Sequence, residues 1–295
     1  MSFSSQVKEE LTAQLPEKAC CRAALLYGLL ECGRGFSVRD ISLQTEYAAV
    51  AQVYTSLLQE VCGTEPDRQD AGFTILSVAP GARGRVLRRF GHTGTEVALR
   101  LNRGNLDCEA CAAAYLRGAF LACGAVSNPS SDYHLEFNVP TLWLSRDIHT
   151  LLSELGFTVR PIRRKGDNVL YFKDSEQIED CLTLIGAPAA SLEMMNIQMV
   201  KDIRNNVNRV QNCENANIDR TVEAAAAQLM AVRKIEEHGG LQQLPEELRE
   251  LAQLRRDNPD LSLRELGEAL STPLSRSGVN HRLRRIAAFA EKLAP

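Results

Sequence analysis

Hydrophobic residues near the C-terminus recur at helical spacing and predict two consecutive short helices. The first helix carries a leucine stripe at i, i+3 and i+7: Leu263, Leu266 and Leu270. The second helix carries its own inward stripe: Val279, Leu283 and Ile286. Ser262 precedes the first stripe with Glu265 three positions later, which is the signature of a capping box. Because residues 271–274 contain a proline break between the two helices, the pattern predicts a helix-turn-helix.

The polar side of the second helix carries the candidate functional residues. A turn of about 100° per residue places a polar set opposite the inward stripe, and the candidates there for base contacts are Ser277, Asn280, His281 and Arg284. The candidates for phosphate contacts are Arg276 and Arg285. Such a helix fits the DNA major groove, where arginine binds guanine and asparagine binds adenine through paired hydrogen bonds. Residues 262–290 hold five arginines against two glutamates, so we expect double-stranded DNA as the partner rather than a merely solvated face.

The first two thirds of the chain contain a repeated hydrophobic helix. Residues 24–36 (ALLYGLLECGRGF) and 114–126 (AYLRGAFLACGAV) each have a central glycine and then a Cys-Gly step. A mid-helix glycine costs about 1 kcal/mol relative to alanine, so Gly28 and Gly118 indicate close packing of the two helices. The predicted strands are residues 36–47, 73–78, 97–101, 133–139, 157–163 and 169–172, and the further helices are residues 48–62, 142–155 and 175–185. The pattern predicts a duplicated α+β unit.

Residues 201–217 contain six asparagines, and two interpretations of them stay open. Asparagine favours caps and turns over helix interiors, which predicts a helix that frays into a connector. The same side chains suit an arm beside a DNA-reading domain, and the additional candidate DNA contacts are Arg204, Asn205, Asn208 and Arg209. Helices predicted at 222–237 and 242–256 complete an all-helical C-terminal domain.

Charge limits any DNA contact to a local surface. The 295 residues carry a net charge of −3, whereas proteins that coat nucleic acid are strongly basic. Two further basic clusters are typical of solvated faces and offer at most a second contact: Arg83, Arg85, Arg88 and Arg89, and Arg160, Arg163, Arg164 and Lys165. No apolar run has the length of a membrane span and the N-terminus lacks the features of a secretion signal. We therefore expect a cytoplasmic, nucleoid-associated protein with no membrane partner.

The nine cysteines are typical of a reducing compartment, because their number is odd and their positions are scattered. Two pairs precede the repeated helices: Cys20 with Cys21, and Cys108 with Cys111. Four thiolates brought together could hold zinc. A lone C-x-x-C in a helix is more often a packing feature, so we expect no metal and no cofactor.

The second repeated helix, through the segment LRGAFLACG from Leu116, resembles the LAGLIDADG helix of homing endonucleases. The resemblance implies two such helices packed at a pseudo-dyad beneath saddle-shaped sheets, with an acidic residue five positions after each glycine to hold a divalent metal. Here those positions are Gly33 and Cys123, and neither can replace a carboxylate ligand. Glu31 is the only carboxylate within the two segments, about half a turn from the required position. We therefore expect no catalytic residues and no enzyme activity.

The order of the parts is similar to that of the WhiA family of bacterial transcription regulators, which is tied to sporulation, cell division and chromosome segregation. The most specific matches are residues 204–217 (RNNVNRVQNCENAN) and 274–286 (LSRSGVNHRLRRI). The resemblance implies a sequence-specific DNA-binding regulator without catalysis that can work with a partner regulator. Two alternatives stay open: an active endonuclease that uses Glu31 with Asp132 or Glu136, and an interaction module that binds a protein or a small effector.

We therefore predict an α+β fold in which a duplicated LAGLIDADG-like αβαβ N-terminal domain precedes an all-α helix-turn-helix domain. The predicted boundaries are residues 1–95 for the first repeat, 96–190 for the second repeat, 191–220 for an Asn/Arg-rich linker and 221–295 for the DNA-binding domain. The operator, the sign of regulation and the oligomeric state stay open.

Overall fold

The computed structural model describes residues 2–96, 98–164 and 166–293. The chain divides into two compact units, residues 1–202 and residues 203–295. The helices of the first unit are α1 (Phe3–Ala13), α2 (Ala19–Glu31), α3 (Ala48–Cys62), α4 (Pro80–Arg89), α5 (Glu109–Cys123), α6 (Leu142–Glu154) and α7 (Ser175–Ile185). Its strands are β1 (Gly35–Phe36), β2 (Ile41–Thr45), β3 (Pro66–Asp70), β4 (Thr74–Val78), β5 (Gly124–Val126), β6 (Leu135–Val139), β7 (Arg160–Arg164) and β8 (Asp167–Phe172).

The second unit is helical. Helix α8 (Pro188–Glu237) begins in the first unit and ends in the second, where α9 (Glu246–Asp257), α10 (Leu263–Ala269) and α11 (Arg276–Glu291) follow. Of the two interpretations left open for residues 201–217, the one in which the helix frays into a connector was wrong, because α8 is helical throughout that segment. No glycine or proline occurs between Pro188 and Gly239, so no residue there interrupts the helix. Across the described parts of the chain, no helix is both long and apolar enough to cross a membrane.

The first unit is a duplication. Its two four-stranded sheets have the strand orders β1-β2-β4-β3 and β5-β6-β8-β7, and all neighbouring strands are antiparallel. Each repeat runs helix, two strands, helix, two strands, helix, so the predicted duplicated α+β unit is confirmed with more strands than expected. Residues 36–47 form two strands because Ser37 N–H donates to Asp40 O (2.8 Å) and closes a turn between them.

One local prediction in the first unit was wrong. The described part of the strand expected at residues 97–101 has no strand partner, and Val97 lies outside the described residues. The Leu101 N–H donates instead to a carboxylate oxygen of Asp147 (3.0 Å), and the Asn102 N–H donates to the hydroxyl of Tyr27 (2.8 Å). The basic run at residues 83–89 lies on helix α4, which begins at Pro80. In the second basic cluster the described residues 160–164 are exposed strand, and Lys165 lies outside the described residues.

The two repeats pack through the crossing of α2 and α5, which is the centre of the first unit. A Cβ built on Gly28 would lie 2.1 Å from the carbonyl oxygen of Tyr115, and one built on Gly118 would lie 2.0 Å from that of Leu25. Backbone therefore meets backbone at both glycines, and the predicted close packing is confirmed. Most side chains of α2 and α5 are buried, so these two helices form the centre of the hydrophobic core of the first unit.

Candidate nucleic-acid interface

Helices α10 and α11 form the predicted helix-turn-helix. The five leucine, valine and isoleucine residues of the two stripes that pack inward are Leu266, Leu270, Val279, Leu283 and Ile286. A Cβ on Gly267 would lie 2.3 Å from the carbonyl oxygen of Leu274, so only glycine allows the turn to approach α10 this closely. The Leu274 N–H donates to the Gly267 carbonyl (3.0 Å) and fixes that approach.

Both helices have capped N-termini. The predicted capping box is confirmed: the Glu265 N–H donates to Ser262 Oγ (3.3 Å), and the Ser262 N–H donates to Glu265 Oε2 (2.8 Å). Helix α11 is capped by Ser275, whose Oγ accepts from the Gly278 N–H (3.2 Å). Sequence reasoning did not single out Ser275, although a serine directly before a helical stripe is a cap signal.

Two further side chains that the sequence analysis missed hold the turn and the preceding loop. The Glu250 carboxylate accepts from the Ser271 N–H (2.6 Å) and from Ser271 Oγ (2.8 Å). Arg255 is 3% exposed and donates to the carbonyl oxygens of Pro259 (3.2 Å) and Leu261 (2.6 Å). Spacing carried a signal for Arg255, which follows Leu248 at i+7 on the buried face of α9. These contacts fix where α10 and α11 stand within the second unit.

The candidate base-contacting residues lie on the outer face of α11. Ser277, His281 and Arg284 are exposed, and Asn280 is half-buried. Among the described residues, none of the first three side chains has a hydrogen-bond or ion-pair partner. Because the buried stripe holds the opposite side of α11, the helix presents these groups to solvent without having to break an internal contact.

The two candidate phosphate-contacting arginines differ. Arg276 is exposed and lines a groove of the second unit together with Arg220, Arg264 and Asn280. Arg285 is half-exposed, and its Nη1 already binds Glu247 Oε1 at 2.7 Å. Arg276 is therefore available to an anion, whereas Arg285 would have to leave a carboxylate first.

The additional candidates share one side of α8. Arg204, Asn205, Asn208 and Arg209 are all exposed, and at 3.6 residues per turn they fall within about 140° of helix surface. This spacing gives α8 one polar side, which suits contacts with the phosphates of a DNA backbone better than contacts with individual bases.

The ends of α2 and α5, where a LAGLIDADG nuclease holds metal, carry Gly33 and Cys123 as predicted from the sequence. The nearby Glu31 is 1% exposed, and the hydroxyl of Tyr115 donates to its Oε2 (2.8 Å). Its Oε1 has no hydrogen-bond partner in the described residues and lies 3.7 Å from His92 Nε2. Burial raises the pKa of Glu31 to about 8 and outweighs the tyrosine hydroxyls of Tyr27 and Tyr115, which lower it; the charge of Asp147 raises it slightly further. A buried, protonated carboxyl group is a poor ligand for a divalent cation.

Replacing Glu31 by glutamine is expected to flatten the pH dependence of stability. The folded-state pKa near 8 lies above the ordinary value of 4.5, so the folded chain holds the proton more tightly and its unfolding free energy falls as pH rises between those values. The maximal slope is about 1.4 kcal/mol per pH unit. Urea unfolding of wild type and Glu31→Gln at several pH values between about 5 and 8 measures it.

The control for that experiment is Glu154→Gln, which removes an exposed carboxylate paired with Arg103. We expect this variant to keep the wild-type slope between pH 5 and 8, because exposed ion pairs contribute little to stability. Burial lowers the pKa of His92 below its ordinary value of 6.5, so His92 makes the unfolding free energy rise with pH just below 6.5. His92 is present in all three proteins. A wild-type slope that equals that of Glu31→Gln would mean that Glu31 is ionised in the folded chain.

Four cysteines form the one group of three or more metal-ligating side chains whose ligand atoms lie within 4.8 Å of one another in the described residues: Cys20, Cys21, Cys108 and Cys111. The two pairs that precede the repeated helices therefore meet in space. They lie at the N-terminal ends of α2 and α5, within the first unit.

Comparison with known proteins gives consistent matches over both units. The family model of the WhiA LAGLIDADG-like domain matches residues 112–204, and that of the WhiA C-terminal HTH domain matches residues 207–290. A protein of Carboxydothermus hydrogenoformans named "Probable cell division protein WhiA" is 38% identical over 306 residues, covering 99% of this chain and 98% of that protein. Its namesake in Heliobacterium modesticaldum is 37% identical over 307 residues, covering 99% and 96%. The crystal structure of full-length WhiA from Thermotoga maritima matches with a TM-score of 0.60 at 25% identity over 100% of both chains.

Proposed function

This chain belongs to the WhiA family, and from that premise we propose that it is a sequence-specific DNA-binding transcription regulator that acts in cell division. The LAGLIDADG-like first unit and the helix-turn-helix of the second unit are those of the family. Roles in chromosome segregation and sporulation, and cooperation with a second regulator, are further expectations of the family resemblance. We also propose that the boundary between the two repeats lies near residue 95 and that the protein associates with the nucleoid.

The observation that carries the proposal is the exposed polar face of α11. Its opposite face is fixed by a buried stripe, and its N-terminus is capped by Ser275. In the proposed complex Arg284 and Asn280 bind base edges in the major groove, where a good paired contact discriminates by about 1–3 kcal/mol. Arg276 binds a neighbouring phosphate, and the polar side of α8 adds contacts that carry no sequence information.

We propose that the first unit is a non-catalytic scaffold. Phosphodiester cleavage by this fold needs hard oxygen ligands where the two repeated helices end, and Gly33 and Cys123 stand there instead. Glu31 is buried and its raised pKa favours the protonated form at neutral pH. Of the two carboxylates considered as partners for Glu31, Glu136 already pairs with His134, at 2.9 Å.

We expect the 295-residue chain to bind DNA of a defined sequence without cleaving it. Selection from random duplexes should enrich a defined sequence, and crosslinking to the genome should place that sequence in a limited set of promoters. Supercoiled plasmid incubated with the protein and Mg²⁺ or Mn²⁺ should stay intact. Nicking that disappears with chelator would overturn the non-catalytic assignment, and the absence of any enriched duplex would favour an interaction module instead.

A further inference from the structure

Four cysteine sulfurs meet where α2 and α5 begin. Cys20 and Cys21 lie in the first turn of α2, Cys108 is the N-cap of α5, and Cys111 lies in the first turn of α5. The two pairs are separated by almost ninety residues in the chain. The close crossing at Gly28 and Gly118 sets the angle and spacing of the helices, and this brings their first turns together.

Four of the six distances between the sulfurs are close to those of a tetrahedral metal centre. Cys108 Sγ lies 3.7 Å from Cys20 Sγ, 3.5 Å from Cys21 Sγ and 3.4 Å from Cys111 Sγ, and Cys21 Sγ lies 3.9 Å from Cys111 Sγ. All four sulfurs lie within 4.8 Å of one another. A zinc ion with Zn–S bonds of about 2.3 Å in tetrahedral geometry separates its sulfurs by about 3.8 Å. Disulfide sulfurs would be much closer, at about 2.05 Å.

We propose that Cys20, Cys21, Cys108 and Cys111 bind one Zn²⁺ ion as a closed four-thiolate structural site. Binding releases the thiol protons to solvent, and the four thiolates occupy all four positions of the ion, leaving none for substrate or water. Iron–sulfur clusters fit less well, because sulfurs bound to different irons stand further apart than sulfurs that share one ion.

The surroundings suit a charged centre of this kind. Four thiolates around one Zn²⁺ have a net negative charge, and the N-termini of two helices, with their unpaired N–H groups and positive dipole ends, face that charge. Cys21 and Cys111 are buried, while Cys20 and Cys108 are half-buried. The ion would thus be shielded on the inner side and reachable from solvent on the outer side.

The position of the site separates it from nuclease chemistry. Helix α2 has 13 residues, so its two ends are about 20 Å apart at 1.5 Å per residue. The cysteines occupy the N-terminal ends of the repeated helices, whereas a LAGLIDADG nuclease holds its metal at the C-terminal ends. The ion would therefore clamp the two repeats together, and we expect its removal to lower the melting temperature of the first unit.

The experiment uses the full chain, purified without a metal-affinity tag, with metals measured by mass spectrometry. We expect one zinc per chain in the wild type and in Cys213→Ser, because Cys213 is an exposed cysteine on α8 outside the cluster. The double variant Cys21→Ser/Cys111→Ser should lose nearly all bound zinc. Replacement by Co²⁺ in the wild type should give the visible absorption of a tetrahedral thiolate site.

Alkylation of the wild type keeps the test decisive if the double variant does not fold. Zinc-loaded, reduced chain is treated with a thiol reagent and the modified cysteines are mapped. We expect the four ligands to be protected until chelator is added and Cys213 to react throughout. A reduced chain that binds no stoichiometric zinc and shows no zinc-dependent protection overturns the proposal. So does a native chain with disulfides among these four cysteines, or one that holds iron and acid-labile sulfide.

Discussion

Gly118→Ala is expected to destabilise the first unit strongly. The added methyl group would lie 2.0 Å from the Leu25 carbonyl oxygen and 2.9 Å from the Leu29 nitrogen, and both atoms belong to the backbone of α2. No rotamer change relieves a backbone clash, so α2 and α5 must move apart and lose packing along their whole crossing. Overpacked cores commonly lose about 1–3 kcal/mol, and here we expect the upper end of that range or more. The higher helix propensity of alanine returns only about 1 kcal/mol.

Urea unfolding followed by circular dichroism measures the effect of Gly118→Ala on the full chain. Gly81→Ala is the matched control: Gly81 also lies in a helix of the first unit, and a Cβ there meets no atom within 4 Å. We expect Gly81→Ala to unfold at the wild-type urea concentration or slightly above it. Equal midpoints for Gly118→Ala and wild type would show that the helices do not approach as closely as the backbone positions indicate.

Arg284→Ala is expected to weaken binding to the selected DNA sequence by about 5- to 150-fold, which corresponds to the loss of a paired contact worth about 1–3 kcal/mol. Binding to scrambled DNA should change much less, so the preference for the cognate sequence should shrink. Arg284 is exposed on the outer face of α11, whereas Leu283 and Ile286 are buried. We therefore expect its removal to leave the stability of the second unit unchanged. Binding isotherms with both duplexes at two salt concentrations separate lost base readout from lost charge.

Arg233→Ala provides the matched control for charge. Arg233 is an exposed arginine of the second unit that lies beside Ala287, Ala290 and Glu291 at the C-terminal half of α11. Its removal takes away the same positive charge from a residue that is not among the proposed DNA contacts. We expect at most a small, salt-dependent loss that is equal for cognate and scrambled duplexes. If Arg284→Ala and Arg233→Ala lower the affinity for both duplexes equally, the assignment of Arg284 as a base-contacting residue is wrong.

The sequence predicted best where one amphipathic element shows its own buried side. The helices at residues 48–62 and 175–185 begin and end as predicted, and the predicted capping box before α10 is present. In these segments the hydrophobic period agrees with a local end signal: Gly63 closes the first helix, Asp174 and Gly186 bound the second, and Ser262 with Glu265 caps α10. The outward direction of Ser277, His281 and Arg284 followed from the same period.

Elements that depend on a neighbour were missed. Strand β3 (PDRQD) is polar and exposed, and it is a strand only because it pairs with β4 along its full length. For the asparagine-rich part of α8, the connector interpretation depended on the low helix propensity of asparagine, but no helix-breaking residue occurs there. The meeting of Cys20 and Cys21 with Cys108 and Cys111 depends on the helix crossing, which two short sequence motifs do not specify.

In the proposed complex, the ion pair between Arg285 and Glu247 would compete with a contact between Arg285 and a DNA phosphate. A phosphate that reaches Arg285 must displace a carboxylate already seated at 2.7 Å, and the released carboxylate would then face a polyanion. Arg285 would thus add only the difference between two similar attractions, at sequences of every kind alike. On that proposal Arg285 would contribute less than Arg276 to the part of binding that does not depend on DNA sequence.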